Sequence, residues 1–210
     1  MTKLLHVAGS PRRERSASRE VAGAFLAAYP EAHPADEIDT IDVWSLDLPA
    51  FDGAALEAKY AGIAGLERTA EQKAMWARIA EFARPLIEAD KLVFSVPMWN
   101  FGIPYRLKHW FDVVSQKDLV FAFDAQGLRG LLGGKRVLLV CARGVGFGQD
   151  SQTPAAGWDQ QTAWLDVWLR MVGIDDVRSV LIEKTLYGPD ADRAARDVAL
   201  AQAVALARDF

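Results

Sequence analysis

Lys91-Leu92-Val93-Phe94-Ser95-Val96 is an apolar run with almost no polar alternation, the pattern of a strand buried on both faces of a parallel sheet. Parallel strands require crossover connections, so such a run implies strands alternating with helices. Four further segments read as strands. Leu4–Ala8 is short and apolar, and Arg136–Cys141 is the clearest of all. Val177–Ile182 is the last, while Ile38–Trp44 is β-branched but alternates imperfectly, as suits a sheet edge. Five strands with right-handed crossovers predict an α/β fold: a flavodoxin-like, doubly wound parallel sheet of order 2-1-3-4-5 with helices on both faces.

Helix signals fill the intervals. Ser16 or Ser18 caps a helix that should run to about Tyr29, where Pro30 stops it. A short helix is expected within Gly53–Gly65. Thr69 and Gln72 then form a capping-box pair opening a longer helix, with Trp76, Ile79, Ala80, Ala83 and Ile87 facing inward. Pro104 begins a helix whose Leu107, Trp110, Phe111 and Val114 recur at helical spacing. Beyond Thr153-Pro154 another carries Leu165, Trp168, Leu169 and Val172 and ends at a left-handed cap on Gly173. Pro189-Asp190 opens an alanine-rich helix to Arg208, with Ala194, Val198, Ala201 and Ala205 expected on the sheet. Lys117–Gly134 shows no regular pattern.

With 210 residues and 51% hydrophobic content the chain suits one domain, residues 1–210. A net charge of -4 with both signs interspersed offers no field for a nucleic-acid backbone. Cys141 is the only cysteine, which excludes an internal disulfide and fits a reducing, cytoplasmic compartment. Met1-Thr2-Lys3 enters a strand directly, without the apolar core of a secretory signal, and no run is long enough to span a membrane.

Three loops carry the chemistry. Gly9-Ser10-Pro11 through Ser16-Ala17-Ser18 joins the first strand to a helix start, where backbone N–H groups, the helix dipole and small hydroxyls suit a phosphate monoester. Arg12, Arg13 and Arg15 add positive charge at its rim. Met98-Trp99-Asn100-Phe101 follows the third strand and sets an amide among aromatic and apolar groups, as a flat heteroaromatic ring with a polar end requires. Ala142-Arg143-Gly144-Val145-Gly146-Phe147-Gly148 follows the fourth strand and exposes backbone donors. Phosphate, ring and donors together fit flavin mononucleotide, FMN.

At these loops the sequence resembles the FMN-dependent NADH-azoreductase and quinone-reductase family of the flavodoxin-like group. The resemblance rests on Ser10-Pro11 with Ser16-Ala17-Ser18, on Pro97–Phe101, on Pro104–Asp112, and on Phe121 through Gly130-Leu131-Leu132 before Gly134-Lys135. It implies an FMN-bearing homodimer, with active sites at the subunit interface, that reduces quinones and azo compounds using NADH or NADPH. It also implies that Ser10, Ser16, Ala17 and Ser18 hold the phosphate. Met98, Trp99, Asn100, Phe101, Ala142, Arg143, Gly144 and Val145 would contact ribityl and ring, and Phe121 would wall the substrate site. The family usually has a second glycine where this chain has Val145.

The flavin would carry the redox chemistry, so no acid–base group is assigned a catalytic role, and no metal site is expected. The alternative is a flavodoxin-type electron carrier acting on protein partners. Such a carrier is usually shorter, more acidic and without the helical insertion Gly53–Glu88. A nicotinamide-binding enzyme without flavin needs a full glycine fingerprint after its first strand, which Ala8-Gly9-Ser10-Pro11 does not supply.

Overall fold

The computed structural model describes residues 1–210. Its main sheet contains β1 (Lys3–Ala8), β2 (Glu37–Asp42), β3 (Lys91–Pro97), β6 (Arg136–Ala142) and β7 (Asp176–Ile182), all parallel. Their order is β2-β1-β3-β6-β7, the expected 2-1-3-4-5. Register runs straight across the centre, with Val7 beside Phe94 and Phe94 beside Leu139. β2 lies at one edge and has no fully buried residue.

Side chains alternate along each strand, and this divides the core in two. Leu5, Val7, Phe94, Val96 and Leu139 pack beneath α3 (Ala70–Glu88), α4 (Tyr105–Val114) and α6 (Gln160–Val172). Leu4, Val93, Leu138 and Val140 pack beneath α1 (Ala17–Ala32) and α7 (Pro189–Arg208). The first layer is built from Phe94, Trp110, Phe111 and Trp168, with Phe111 and Trp168 ring centroids 4.5 Å apart. The second is built on alanines from α7.

Several local expectations are corrected. Pro30 lies inside α1, which continues through it to Ala32: the ring forfeits its own backbone N–H, and the His33 N–H still donates to Tyr29 O to close the last turn. Ser16 is the cap and Ser18 is already helical. Trp44 lies beyond β2 and turns back over the sheet edge. In α3 the capping box forms, but Leu86 is buried where Ile87 was expected. Pro104 is the cap of α4 rather than its first residue. The helix after Pro154 is broken into a short turn, α5 (Ala155–Trp158), and α6, because Asp159 caps the second piece by accepting from the N–H groups of Gln161 and Thr162. Gly173 closes α6 with φ 88°, as expected.

α7 buries Ala199, Ala203 and Ala207, whereas Val198 is 61% exposed. Apolar residues occur all round this helix, so its sequence does not select a face. The segment 117–134 contains an antiparallel hairpin, β4 (Phe121–Asp124) and β5 (Gly127–Gly130). Its alternation is too short to read alone, and docking stabilises it: Leu132 N–H donates to Val172 O at 2.8 Å, and Gly130 lies against the backbone of Gly173. α2 (Gly53–Ile63) is capped by Asp52 and lies beside α3. No helix is long and apolar enough to cross a membrane.

Candidate functional site

The loops after β1, β3, β6 and β7 emerge at the carboxyl edge of the sheet, and those after β1 and β3 flank the point where the winding reverses. Open α/β sheets present their ligand crevice there. After β1 the chain is drawn tight: Gly9 N–H donates to Ser95 O at 2.9 Å, and a Cβ at Gly9 would lie 2.9 Å from Leu107 Cδ2. Trp44 Nε1 donates to Gly9 O at 3.0 Å. Arg19 Nη1 donates to Ser10 O at 3.2 Å while pairing with Asp42 at 2.8 Å. Ser16 Oγ accepts from Arg19 N–H and lies 3.2 Å from Ser18 Oγ. The N–H groups of Ala17 and Ser18 donate to nothing in the chain. They therefore stand as free donors at the positive end of a 16-residue helix.

The loop after β3 is a tight turn. Trp99 and Gly102 exchange two backbone hydrogen bonds of 3.0 Å, with Asn100 at φ 48° and Phe101 at φ 67°. Successive left-handed residues define a type I′ turn, which strongly favours Asn first and glycine second. Phenylalanine in the second position costs on the order of 1 kcal/mol or more. Packing holds it there: the Phe101 ring lies 5.0 Å from Trp158 and 6.4 Å from Phe147, and Phe101 O accepts from Gln160 N–H. The exposed Asn100 side chain is thereby set at the tip of a rigid turn.

After β6, Arg143 is only 2% exposed and its side chain turns into the protein. Nη2 donates to Asp159 Oδ2 at 2.6 Å, Nε to Gln161 Oε1 at 3.2 Å and Nη1 to Glu183 Oε1 at 3.2 Å. Gln161 Nε2 in turn donates to Val96 O at 3.0 Å, and Glu183 Oε2 accepts from Phe147 N–H. The guanidinium thus ties the ends of β3, β6 and β7 to the start of α6. The N–H groups of Gly144, Val145 and Gly146 remain without acceptors in the chain.

A cavity of about 280 Å³ opens among these loops, and Ser10, Ser16, Ala17, Met98, Trp99, Ala142 and Gly144 all border it. Ser18 lies behind Ser16, Asn100 and Phe101 form the turn beside the opening, and Val145 packs its carbonyl toward Lys184 N–H at 3.4 Å. Phe121 lies elsewhere, on a second cavity of about 270 Å³ between α4 and α6. Sequence reasoning missed Trp44 and the loop after β7. Thr185 and Leu186 border the first cavity, as do Asp192 and Arg196 of α7, which form a two-pronged ion pair at 2.9 and 3.0 Å. The signal available was position alone, since the fifth strand ends at the same sheet edge.

The flavodoxin-like fold family, Flavodoxin_2, matches residues 2–207. The chain belongs to that family. This flavodoxin-like chain is 47% identical to FMN-dependent NADH:quinone oxidoreductase 9 of Burkholderia lata over the full length of both. It is 49% identical to FMN-dependent NADH:quinone oxidoreductase 2 of Pseudomonas syringae pv. tomato, with 97% of each chain covered. Among solved structures, an azoreductase from Bacillus anthracis superposes with TM-score 0.89 at 29% identity, covering 100% of both chains. An FMN-dependent NADH-azoreductase of the same species in complex with FMN gives 0.84 at 25%, covering 99% of this chain and 100% of that one.

The titratable groups of this flavodoxin-like protein outside the loops have structural surroundings. Burial, with help from Arg19, lowers His6 to about 4, so the ring is neutral at pH 7 between Ser95 Oγ at 2.9 Å and Thr40 Oγ1 at 3.5 Å. His109 Nε2 donates to Pro49 O. Burial pushes the Cys141 thiol up to about 12, which removes its nucleophilic form at neutral pH.

Proposed function

We propose that residues 1–210 act as one flavodoxin-like domain that binds FMN and reduces quinones and azo compounds with NADH or NADPH. The observation that carries this reading is the meeting of hydroxyls, free helix-start donors and aromatic surface on one cavity at the winding reversal. The phosphate end has the right chemistry: Ser10 and Ser16 supply small hydroxyls, and Ala17 and Ser18 supply N–H groups that nothing in the chain accepts. Met98 and Trp99 offer apolar surface for a ring face, while Asn100 offers both a donor and an acceptor. The N–H groups of Gly144, Val145 and Gly146 suit negative charge at the far end. Full-length relatives named as FMN-dependent NADH:quinone oxidoreductases support an enzyme over an electron carrier.

FMN, when bound, supplies two-electron exchange between nicotinamide and acceptor. The chain's own part is to bind, orient and exclude. Arg143 fixes the loop after β6 by joining it to Asp159, Gln161 and Glu183, and the type I′ turn holds Asn100 without reorganisation. No side chain is assigned a proton-transfer role. The two substrates use one face in turn, a ping-pong order, so double-reciprocal plots should run parallel. A homodimer, with Phe121 of one protomer walling an acceptor site at the subunit interface, and a cytoplasmic address complete the proposal.

The deciding experiment is the absorbance spectrum of the purified protein, reconstituted with FMN if necessary. A bound flavin spectrum should bleach on anaerobic NADH and return on adding a quinone. Failure to retain FMN overturns the reading, and retention without bleaching overturns the enzyme assignment while leaving the binding site.

A further inference from the structure

The loop after β1 is held from outside the cavity. Trp44, just past β2, donates from Nε1 to Gly9 O at 3.0 Å, and Arg19 of α1 donates from Nη1 to Ser10 O at 3.2 Å. Both holders meet on one carboxylate. Asp42, the last residue of β2, pairs through Oδ2 with Arg19 at 2.8 Å and accepts the Trp44 N–H through Oδ1 at 3.1 Å. Val43 N–H donates to Ala8 O at 3.2 Å, which carries the pairing of β1 with β2 up to the loop. None of Arg19, Asp42 and Trp44 borders the cavity that Ser10 and Ser16 line.

Peptide geometry converts this hold into an orientation. In a trans peptide the C=O and N–H point to opposite sides, so an indole that draws Gly9 O to its own side turns the Ser10 N–H away from it. Ser10 is 1% exposed, its N–H donates to nothing in the chain, and its hydroxyl accepts from Arg12 N–H at 3.3 Å while donating to nothing. A buried donor without an acceptor is costly, and two on one residue at a cavity call for an acceptor from outside the chain. The next peptide has no N–H, because residue 11 is proline, and offers only a carbonyl whose negative end would repel an anion. Arg19 keeps that oxygen engaged. Its own charge is offset by Asp42, so it acts on the turn rather than as a free cation.

We propose that Asp42, Arg19 and Trp44 are positioning residues for the phosphate of FMN. Acting through the Gly9 and Ser10 carbonyls, they aim the donors of Ser10 into the cavity and give the site its preference for a phosphorylated flavin over riboflavin. This rests on the reading of the cavity as an FMN site.

The test titrates the flavin-free, full-length chain with FMN and with riboflavin, followed by flavin fluorescence, and reads the preference as a ratio of dissociation constants. Trp44→Phe keeps an aromatic ring and removes the donor. It should lower that ratio about tenfold by weakening FMN, with riboflavin affinity held within about twofold of wild type. Arg19→Met removes the second donor and should lower the ratio to a similar extent. Asp42→Asn separates positioning from direct attraction: it should weaken FMN because Arg19 loses its anchor, whereas an arginine that bound phosphate itself would hold it more tightly once its carboxylate was gone. The phosphorus NMR resonance of bound FMN should move in Trp44→Phe while the flavin absorbance stays unchanged. An equal loss of affinity for both flavins assigns the three residues to folding alone and overturns the proposal, as does tighter FMN binding by Asp42→Asn. A wild type that prefers FMN, with variants that keep its preference, overturns the positioning and leaves the FMN site. A wild type that holds neither flavin overturns both.

Discussion

The two faces of the sheet are packed by opposite means. Beneath α3, α4 and α6 lie large rings: Trp110 is fully buried among Phe94 and Phe111, with centroid separations of 6.4 and 5.2 Å. Beneath α1 and α7 the contact is made by Ala199, Ala203 and Ala207 against Val21, Ala22 and Phe25. Rings hold helices apart and leave recesses between them, and the cavity beside Phe121 is on this side. Alanines let helices approach closely, and that closeness brings Asp192 and Arg196 of α7 to the cavity bordered by Ser16 of α1. One face thus leaves a cavity between its helices, and the other draws charged groups to a loop.

That contrast can be broken from the aromatic side first. Trp110→Ala should destabilise the fold by about 4 kcal/mol, because rigid neighbouring rings cannot collapse into the void. Chemical denaturation measures it, and a loss below about 1 kcal/mol would mean that the face is loosely packed.

The second test concerns the polar thread on the alanine side. His6 is buried and lowered to about 4 from 6.5, so between those values the unfolded chain binds a proton that the native state refuses. Stability should therefore be intact above pH 6.5 and fall by about 3 kcal/mol as pH drops toward 4. Denaturation midpoints of wild type and His6→Gln across that range isolate the contribution, since carboxylate effects are common to both. Parallel curves would remove it.

On the alanine face the damaging change is enlargement. Ala203→Leu should cost about 2 kcal/mol by forcing α7 away from its neighbours, whereas Val198→Ala on the exposed side should be nearly neutral. Thermal unfolding of the pair compares the two sides of one helix directly. A smaller loss than at Ala203 is expected for Ser16→Ala, about 1 kcal/mol from loss of the α1 cap. FMN titration of the same variant should show weaker binding, and unchanged affinity would separate the cap from the phosphate site.

Much of the architecture was legible because its signals are local. The doubly buried run at Lys91–Val96, the Thr69 and Gln72 capping box and the Gly173 cap each need only a few neighbouring residues to be recognised. The loops that meet on the cavity were legible because Ser10, Ser16, Met98, Trp99, Ala142 and Gly144 follow strand ends, and a parallel sheet brings such ends to one edge. Arg143 shows the limit. Its position in a glycine-containing loop suggested ligand contact and gave no sign that the guanidinium would pair with Asp159, Gln161 and Glu183. Trp44, expected in a strand, instead bonds Gly9 and lies 5.6 Å from Trp99.

By itself the sequence determined the alternation of strands and helices, the winding of the sheet and the loops that face its carboxyl edge, since apolar periodicity and turn chemistry act over a few residues. Tertiary structure alone decided which alanines of α7 are buried, that 121–130 pairs as a hairpin against Gly173, and that Thr185, Leu186, Asp192 and Arg196 join the cavity. Those outcomes depend on partners distant along the chain, and a short peptide carries no record of the surface it will meet.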